Sequence, residues 1–212
     1  MNKKTETQAY VGSVVESRIC FNFKRRFLKF DGEKFYRDYC STLKGVDFLV
    51  DDGETLVLVE VKNFRGDERK NVWRATPDNA RKPQEVRDSK DSLDIEVAAK
   101  VRDAVAALCG AQTFNEECGK DISREFRAFL EHSRKALRPS SPVESRVAVV
   151  LLLEGAAPKN EARGFSKIAK RIHDSLRDKL KWLNCRVYVV DLNEAKRPAI
   201  SRLFDATLLP NA

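Results

Sequence analysis

With 212 residues, 42% of them hydrophobic, the chain can bury a sizeable core and fits a single domain over 1–212. Forty Lys and Arg against 32 Asp and Glu leave a net charge of +8, which suits a polyanionic partner and decides nothing about the fold. Five cysteines without a Cys-x-x-Cys pair, and two histidines remote from them, exclude zinc-finger and disulfide-framework classes. No apolar run approaches a membrane span and the N-terminus leads into no signal-type segment, so the expectation is a cytoplasmic chain with reduced thiols and no membrane partner.

Residues 1–8 read as a tail. Val11, Val14 or Val15, and Ile19 recur at helical spacing, which predicts a first helix over 9–23 carrying Glu16. Lys24, Arg25 and Arg26, followed by Lys29, form a basic cluster that either touches phosphates or closes a solvated helix end. Residues 27–30 and 35–40 flank the turn pair Asp31-Gly32 and read as a first strand or a ragged hairpin.

The stretch 45–63 organises the rest. Residues 46–50 and 55–62 are β-branched, apolar runs, and Asp52-Gly53 between them is a tight-turn signal. A turn at those two residues pairs Asp51 with Glu54, Val50 with Thr55 and Asp47 with Leu58. Asp47, Glu60 and Lys62 then share one face, with Glu60 diagonal to Asp47. Unpaired buried charge is costly, so three charges on one face of an apolar hairpin point to chemistry. The alternative is a surface ion pair at a strand end. Two carboxylates at that separation can bridge a hard cation such as Mg²⁺, and a lysine beside them can orient a water or neutralise a phosphoryl transition state.

The pattern Asp47-x₁₂-Glu60-Val61-Lys62 resembles the signature of the PD-(D/E)xK, restriction-endonuclease-like nuclease superfamily. The proline of that signature is replaced by Val46. The resemblance implies Asp47, Glu60 and the Val61 carbonyl as metal ligands, Lys62 as the catalytic lysine, and Mg²⁺ as cofactor with Mn²⁺ as its substitute. It also implies an acidic residue from the first helix, making Glu16 a candidate accessory ligand beside the alternative of a solvated helix glutamate.

After Lys62 the composition turns basic. Within 63–91 lie Arg65, Arg69, Lys70, Arg74, Arg81, Lys82, Arg87 and Lys90, with Phe64 and Trp73 among them. A long loop starting at that strand end is placed to meet a substrate, its cations on phosphates and Trp73 on an exposed base; a solvated insertion is the competing reading. Residues 92–111 form the most regular predicted helix, with an apolar stripe of Leu93, Val97, Val101, Val105 and Leu108. By the resemblance this helix offers Lys100 as an accessory catalytic residue; by spacing alone Lys100, Glu96 and Asp103 describe a surface ion-pair ladder. A second amphipathic helix is expected over 121–138. Residues 146–154 and 186–192 read as buried strands, joined by a helix over 164–183, which makes a crossover unit. A short helix is expected within 198–209.

The expected fold is mixed α/β: a central mixed sheet flanked by helices, a restriction-endonuclease-like core by resemblance, with a basic loop insertion at about 63–91 and a helical one at about 112–142. No G-x-G-x-x-G, Walker lysine or G-x-S-x-G is present. The expected function is metal-dependent hydrolysis of phosphodiester bonds, in DNA rather than RNA, in restriction, repair or antiphage defence. The alternative is a non-catalytic nucleic-acid-binding or assembly subunit of the same fold. Without a recognition domain, specificity would come from loops, a homodimer mate or a partner protein.

Overall fold

The computed structural model describes residues 12–77, 91–113, 122–137, 146–156 and 162–210. In chain order the strands are β1 (Ser13–Glu16), β2 (Ile19–Phe23), β3 (Arg26–Lys29), β4 (Phe48–Asp52), β5 (Thr55–Asn63), β6 (Val147–Glu154), β7 (Arg186–Val190) and β8 (Phe204–Leu208). The helices are α1 (Lys34–Tyr39), α2 (Glu68–Asn71), α3 (Leu93–Ala111), α4 (Arg124–Leu137), α5 (Ala162–Lys179) and α6 (Pro198–Ser201), with short 3₁₀ turns between some of them. The protein is mixed α/β, built on a five-stranded sheet β3-β4-β5-β6-β7 and a three-stranded sheet β1-β2-β8.

In the larger sheet β3, β4 and β5 run antiparallel, then β6 and β7 join in parallel. The Val-Ala-Val-Val-Leu-Leu-Leu run of β6 is buried at every position because it lies between two neighbours and under two layers. On one face, Leu49, Leu56, Leu58, Val149 and Leu151 meet Val97, Val101 and Leu108 of α3, Phe126 and Phe129 of α4, and Ile172 and Leu176 of α5. On the other face, Phe48, Val50, Val57, Val59 and Val150 meet Ile19, Phe21, Phe23 and Phe204 of the small sheet. The order is therefore helices, large sheet, small sheet. Buried Asp94 ties the first turn of α3 to α5 by accepting from Ser175 (2.8 Å) and pairing with Lys179 (3.1 Å).

The expected first helix is absent: 13–16 and 19–23 form the β1–β2 hairpin, with Glu16 opposite Ile19. Ile19, Phe21 and Phe23 alternate and are fully buried, and a period of two is what a sheet face requires. The tight turn between the strands holds Ser17 (φ 50°) and Arg18 (φ 64°) in the left-handed region, with neither glycine nor asparagine to announce it. Glu16 is thus a strand residue. Residues 35–40 are largely α1 rather than a strand, and the C-terminal segment holds only one turn of helix before β8, which pairs with β2.

The central hairpin forms with its turn one residue later than expected. Asp52 pairs with Thr55, so Gly53 and Glu54 make the turn. Gly53 supplies the positive φ (73°) at the first turn position, and its N–H is held by the Asp51 carboxylate at 3.1 Å. Each pair shifts by two positions in total, which preserves the facing of every side chain. Of the two expected insertions, 63–91 contains α2 and a 3₁₀ turn at Val72–Ala75, while 112–142 contains α4. Arg81, Lys82, Arg87, Lys90 and Cys118 lie outside the described residues. Among the described residues no helix is long and apolar enough to cross a membrane.

Candidate functional site

Alternation along β5 sends Leu56 and Leu58 into the core beneath the helices, and the same alternation sends Glu60 and Lys62 to that face. Asp47 immediately precedes β4. Continuing the register beyond Phe48 with Val59 sets it directly opposite Glu60. Its Oδ2 accepts the Val61 N–H at 2.7 Å, which locks the carboxylate against the strand. Above them α3 presents Glu96 and Lys100, one helical turn apart.

These side chains form one connected cluster. Lys100 Nζ donates to Glu60 Oε1 (2.7 Å) and lies 3.8 Å from Asp47 Oδ1. Lys62 Nζ bridges Glu60 Oε1 (2.9 Å) and Glu96 Oε1 (2.8 Å). Arg74, from the 3₁₀ turn after α2, pairs with the other oxygen of Glu96. Carboxylates of Asp47, Glu60 and Glu96 are thereby matched by Lys62, Lys100 and Arg74. Glu60 is fully buried, and its Oε2 has no hydrogen-bond partner among the described residues. An unsatisfied buried carboxylate oxygen costs free energy that a purely structural site would be expected to avoid.

Burial, reinforced by the Glu60 charge, pushes Asp47 up to about 7 despite Lys100 and the Val61 N–H. Burial alone would lower Lys62, but Glu60 and Glu96 outweigh it and hold the ammonium above the ordinary lysine range. For Glu96 burial acts upward and is overcome by Lys62 and Arg74, leaving it below the ordinary glutamate value. The cluster thus pairs a carboxyl that resists ionisation with a lysine that stays charged.

Among the described residues no three His, Cys, Asp or Glu side chains converge into a ready-made cage. The donor set instead fits a hard cation bound through one or two carboxylates and several waters, as Mg²⁺ is, and does not fit zinc. Glu60 Oε2 is the free donor, Asp47 stands opposite, and Val61 offers only backbone because its side chain is in the core between the sheets.

The other sequence candidates fall in three places. Glu16 accepts from Lys29 at 2.7 Å, and Lys29 in turn feels the Asp47 charge, so Glu16 touches the site only through an intermediary. Lys24 pairs with Asp205 of β8, and Arg25 and Arg26 pair with Asp52 and Asp51 at the opposite end of the β4–β5 hairpin. Arg26 lies opposite Asp51, whose β5 partner Leu56 is four residues, or roughly 13 Å, from Glu60. Arg65 is bound by Glu154 (2.8 Å), Lys70 by Asp67 (3.1 Å), Arg69 is exposed and Trp73 half-buried. Arg74 is 7% exposed and turned inward, which removes it from the cations a polyanion could meet. The residue that sequence reasoning undervalued is Glu96: its i,i+4 spacing to Lys100 was the signal, and only the fold shows that both face β5.

One glycine holds the strand ends together. Gly155, after β6, has φ 74°, and a Cβ there would lie 2.6 Å from the Arg65 nitrogen and 2.9 Å from the Phe64 carbonyl carbon. Gly155→Ala is expected to lower stability by about 2–3 kcal/mol, because it adds both strain and a backbone clash. Urea unfolding against wild type checks this.

Taken together, the fold and site define an α/β protein with a buried carboxylate–lysine cluster at the strand ends beneath α3. The chain belongs to a family of unknown function (DUF6661), whose pattern matches residues 33–205 and so takes in the whole cluster. No curated protein and no solved structure matches it.

Proposed function

We propose that the protein is a Mg²⁺-dependent phosphodiesterase of the PD-(D/E)xK kind, acting on nucleic acid and on DNA rather than RNA. The observation that carries this reading is Glu60: fully buried, in contact with two lysines, opposite Asp47, and with one carboxylate oxygen unused. The antiparallel β3-β4-β5 meander, the return through α3 and the parallel β6 support a restriction-endonuclease-like core, since they put this cluster at the strand ends. The surplus of eight positive charges supports a polyanionic substrate.

In this reading Asp47 and Glu60 hold the ion, with the Val61 carbonyl beside them. The ion, when bound, supplies Lewis-acid stabilisation of the phosphoryl group and a lowered pKa for the attacking water. The protein's own groups do the rest. Lys62 turns its remaining N–H toward the oxygen on which charge accumulates, and Lys100 keeps the Glu60 carboxylate oriented. Exposed Arg69 and Lys70, with partly exposed Arg65, supply contacts to flanking phosphates on the segment that follows β5.

A second reading, a nucleic-acid-binding or assembly subunit that does not cleave, is favoured by one observation: the cluster is already charge-balanced by its own cations. Calorimetric titration with Mg²⁺ and Mn²⁺ separates the two. The phosphodiesterase reading expects binding by wild type that is lost in Asp47→Ala. A folded wild type that binds neither ion sinks it.

A further inference from the structure

Arg74 and Glu96 are more than a surface ion pair, since both are withdrawn from solvent and Glu96 serves two cations with its two oxygens. We propose that Glu96, itself clamped by Arg74, is the positioning residue that aims Lys62, so that the 3₁₀ turn at Val72–Ala75 is part of the site's architecture. This rests on the phosphodiesterase reading for its consequence in catalysis, but not for its geometry.

Lysine carries three N–H donors on a stem of four rotatable carbons, so a single partner leaves its remaining donors undirected. Lys62 is bound at 2.9 Å by Glu60 and at 2.8 Å by Glu96, one acceptor on its own strand and one on the facing helix. Two fixed donors leave a third whose direction is set by tetrahedral geometry. Without Glu96, Lys62 would retain only Glu60, where Lys100 already binds the same oxygen at 2.7 Å. Two ammonium groups crowding one oxygen repel, and Lys62, left with that shared oxygen as its one partner, would lose its fixed direction.

Glu96 needs its own anchor to act in this way, and Arg74 is built as one. Its guanidinium lies over the Phe64 ring (5.5 Å) and also donates to the Asn71 side chain and the Asp91 carbonyl at 3.4 Å. Planar guanidinium held on an aromatic face is a rigid reference for a carboxylate in a way that a lysine would not be. Arg74 therefore fixes Glu96, and Glu96 fixes Lys62. The basic residue that looks from sequence like a phosphate contact is instead the far end of a three-residue relay of position.

The test combines cleavage kinetics with a measurement on the metal-free protein. Glu96→Ala is expected to lower kcat on the order of 100-fold with KM and Mg²⁺ affinity unchanged, because the geometry and not the binding is lost. Glu96→Gln keeps the shape but has one oxygen for two cations, its amide nitrogen facing the other, so it is expected to recover only a minor part of that loss while guarding against a folding defect in the alanine variant. Adding Arg74→Met to Glu96→Ala should bring no further fall, since both act through Lys62. In ¹⁵N-lysine NMR spectra without metal, the Lys62 ammonium should give a slowly exchanging signal in wild type that disappears in Glu96→Ala. A folded Glu96→Ala protein with wild-type kcat, or with the Lys62 signal intact, overturns the proposal. A wild type that cleaves nothing counts against the phosphodiesterase reading alone, and the ammonium signal then decides the positioning claim by itself.

Discussion

Lys62→Met is expected to lower kcat for phosphodiester cleavage roughly 100- to 1,000-fold, the usual cost of removing one charged donor from a transition state. Methionine keeps the volume of the lysine stem, so packing under α3 is preserved. What disappears is the cation between Glu60 and Glu96. Glu60 retains Lys100 and Glu96 retains Arg74, so the accompanying loss of stability falls at or below the lower end for a broken buried pair, about 2–3 kcal/mol. Single-turnover kinetics and urea unfolding in EDTA check the two effects separately. Activity lost without unfolding is the expected combination.

Asp47→Asn carries the opposite stability signature. The wild-type carboxyl titrates at about 7 in the fold against 3.8 when exposed, since burial and Glu60 both oppose its charge. A raised carboxyl pKa contributes stability that is fully present below the unfolded value and is lost as pH rises through the folded one. Asparagine cannot ionise and keeps an oxygen for the Val61 N–H. The metal-free variant should therefore match wild type near pH 4, gain on it through pH 5 and 6, and level off above 7 at about 1–3 kcal/mol more stable. Added Mg²⁺ should raise the melting temperature of wild type and leave Asp47→Asn unmoved. Thermal melts from pH 4 to 8, with EDTA or Mg²⁺, measure both. A charge that destabilises the resting protein fits a group kept for binding.

What the sequence disclosed follows the range of the interactions involved. The Asp47, Glu60 and Lys62 face was legible because strand alternation is local, and a turn displaced by one residue leaves the facing unchanged. The β6–α5–β7 unit was legible because each element carries its own unbroken pattern. Residues 13–23 misled because Val11, Val15 and Ile19 also fit a helical spacing, while the evidence for strands was the burial of Phe21 and Phe23 against Phe48 and Phe204, which are remote in sequence. The short strand Phe204–Leu208 was hidden for the same reason, since its partner is β2. Arg74 read as a surface cation because its partner, Glu96, lies on α3, 22 residues further on, a pairing that no local pattern encodes. Glu96 was misjudged with it: an i,i+4 pair looks the same on a wet face and on one turned to a strand.

The claim that the cluster is a metal-dependent phosphodiesterase site is tested most directly by cleavage. Supercoiled plasmid, single-stranded DNA and RNA would be incubated with Mg²⁺, Mn²⁺ or EDTA, comparing wild type with Glu60→Ala and Lys62→Ala. The account predicts cutting of DNA by wild type that needs the metal and is lost in both folded variants. Cutting that persists in both, or a wild type that cuts none of the three substrates with either metal, would contradict it.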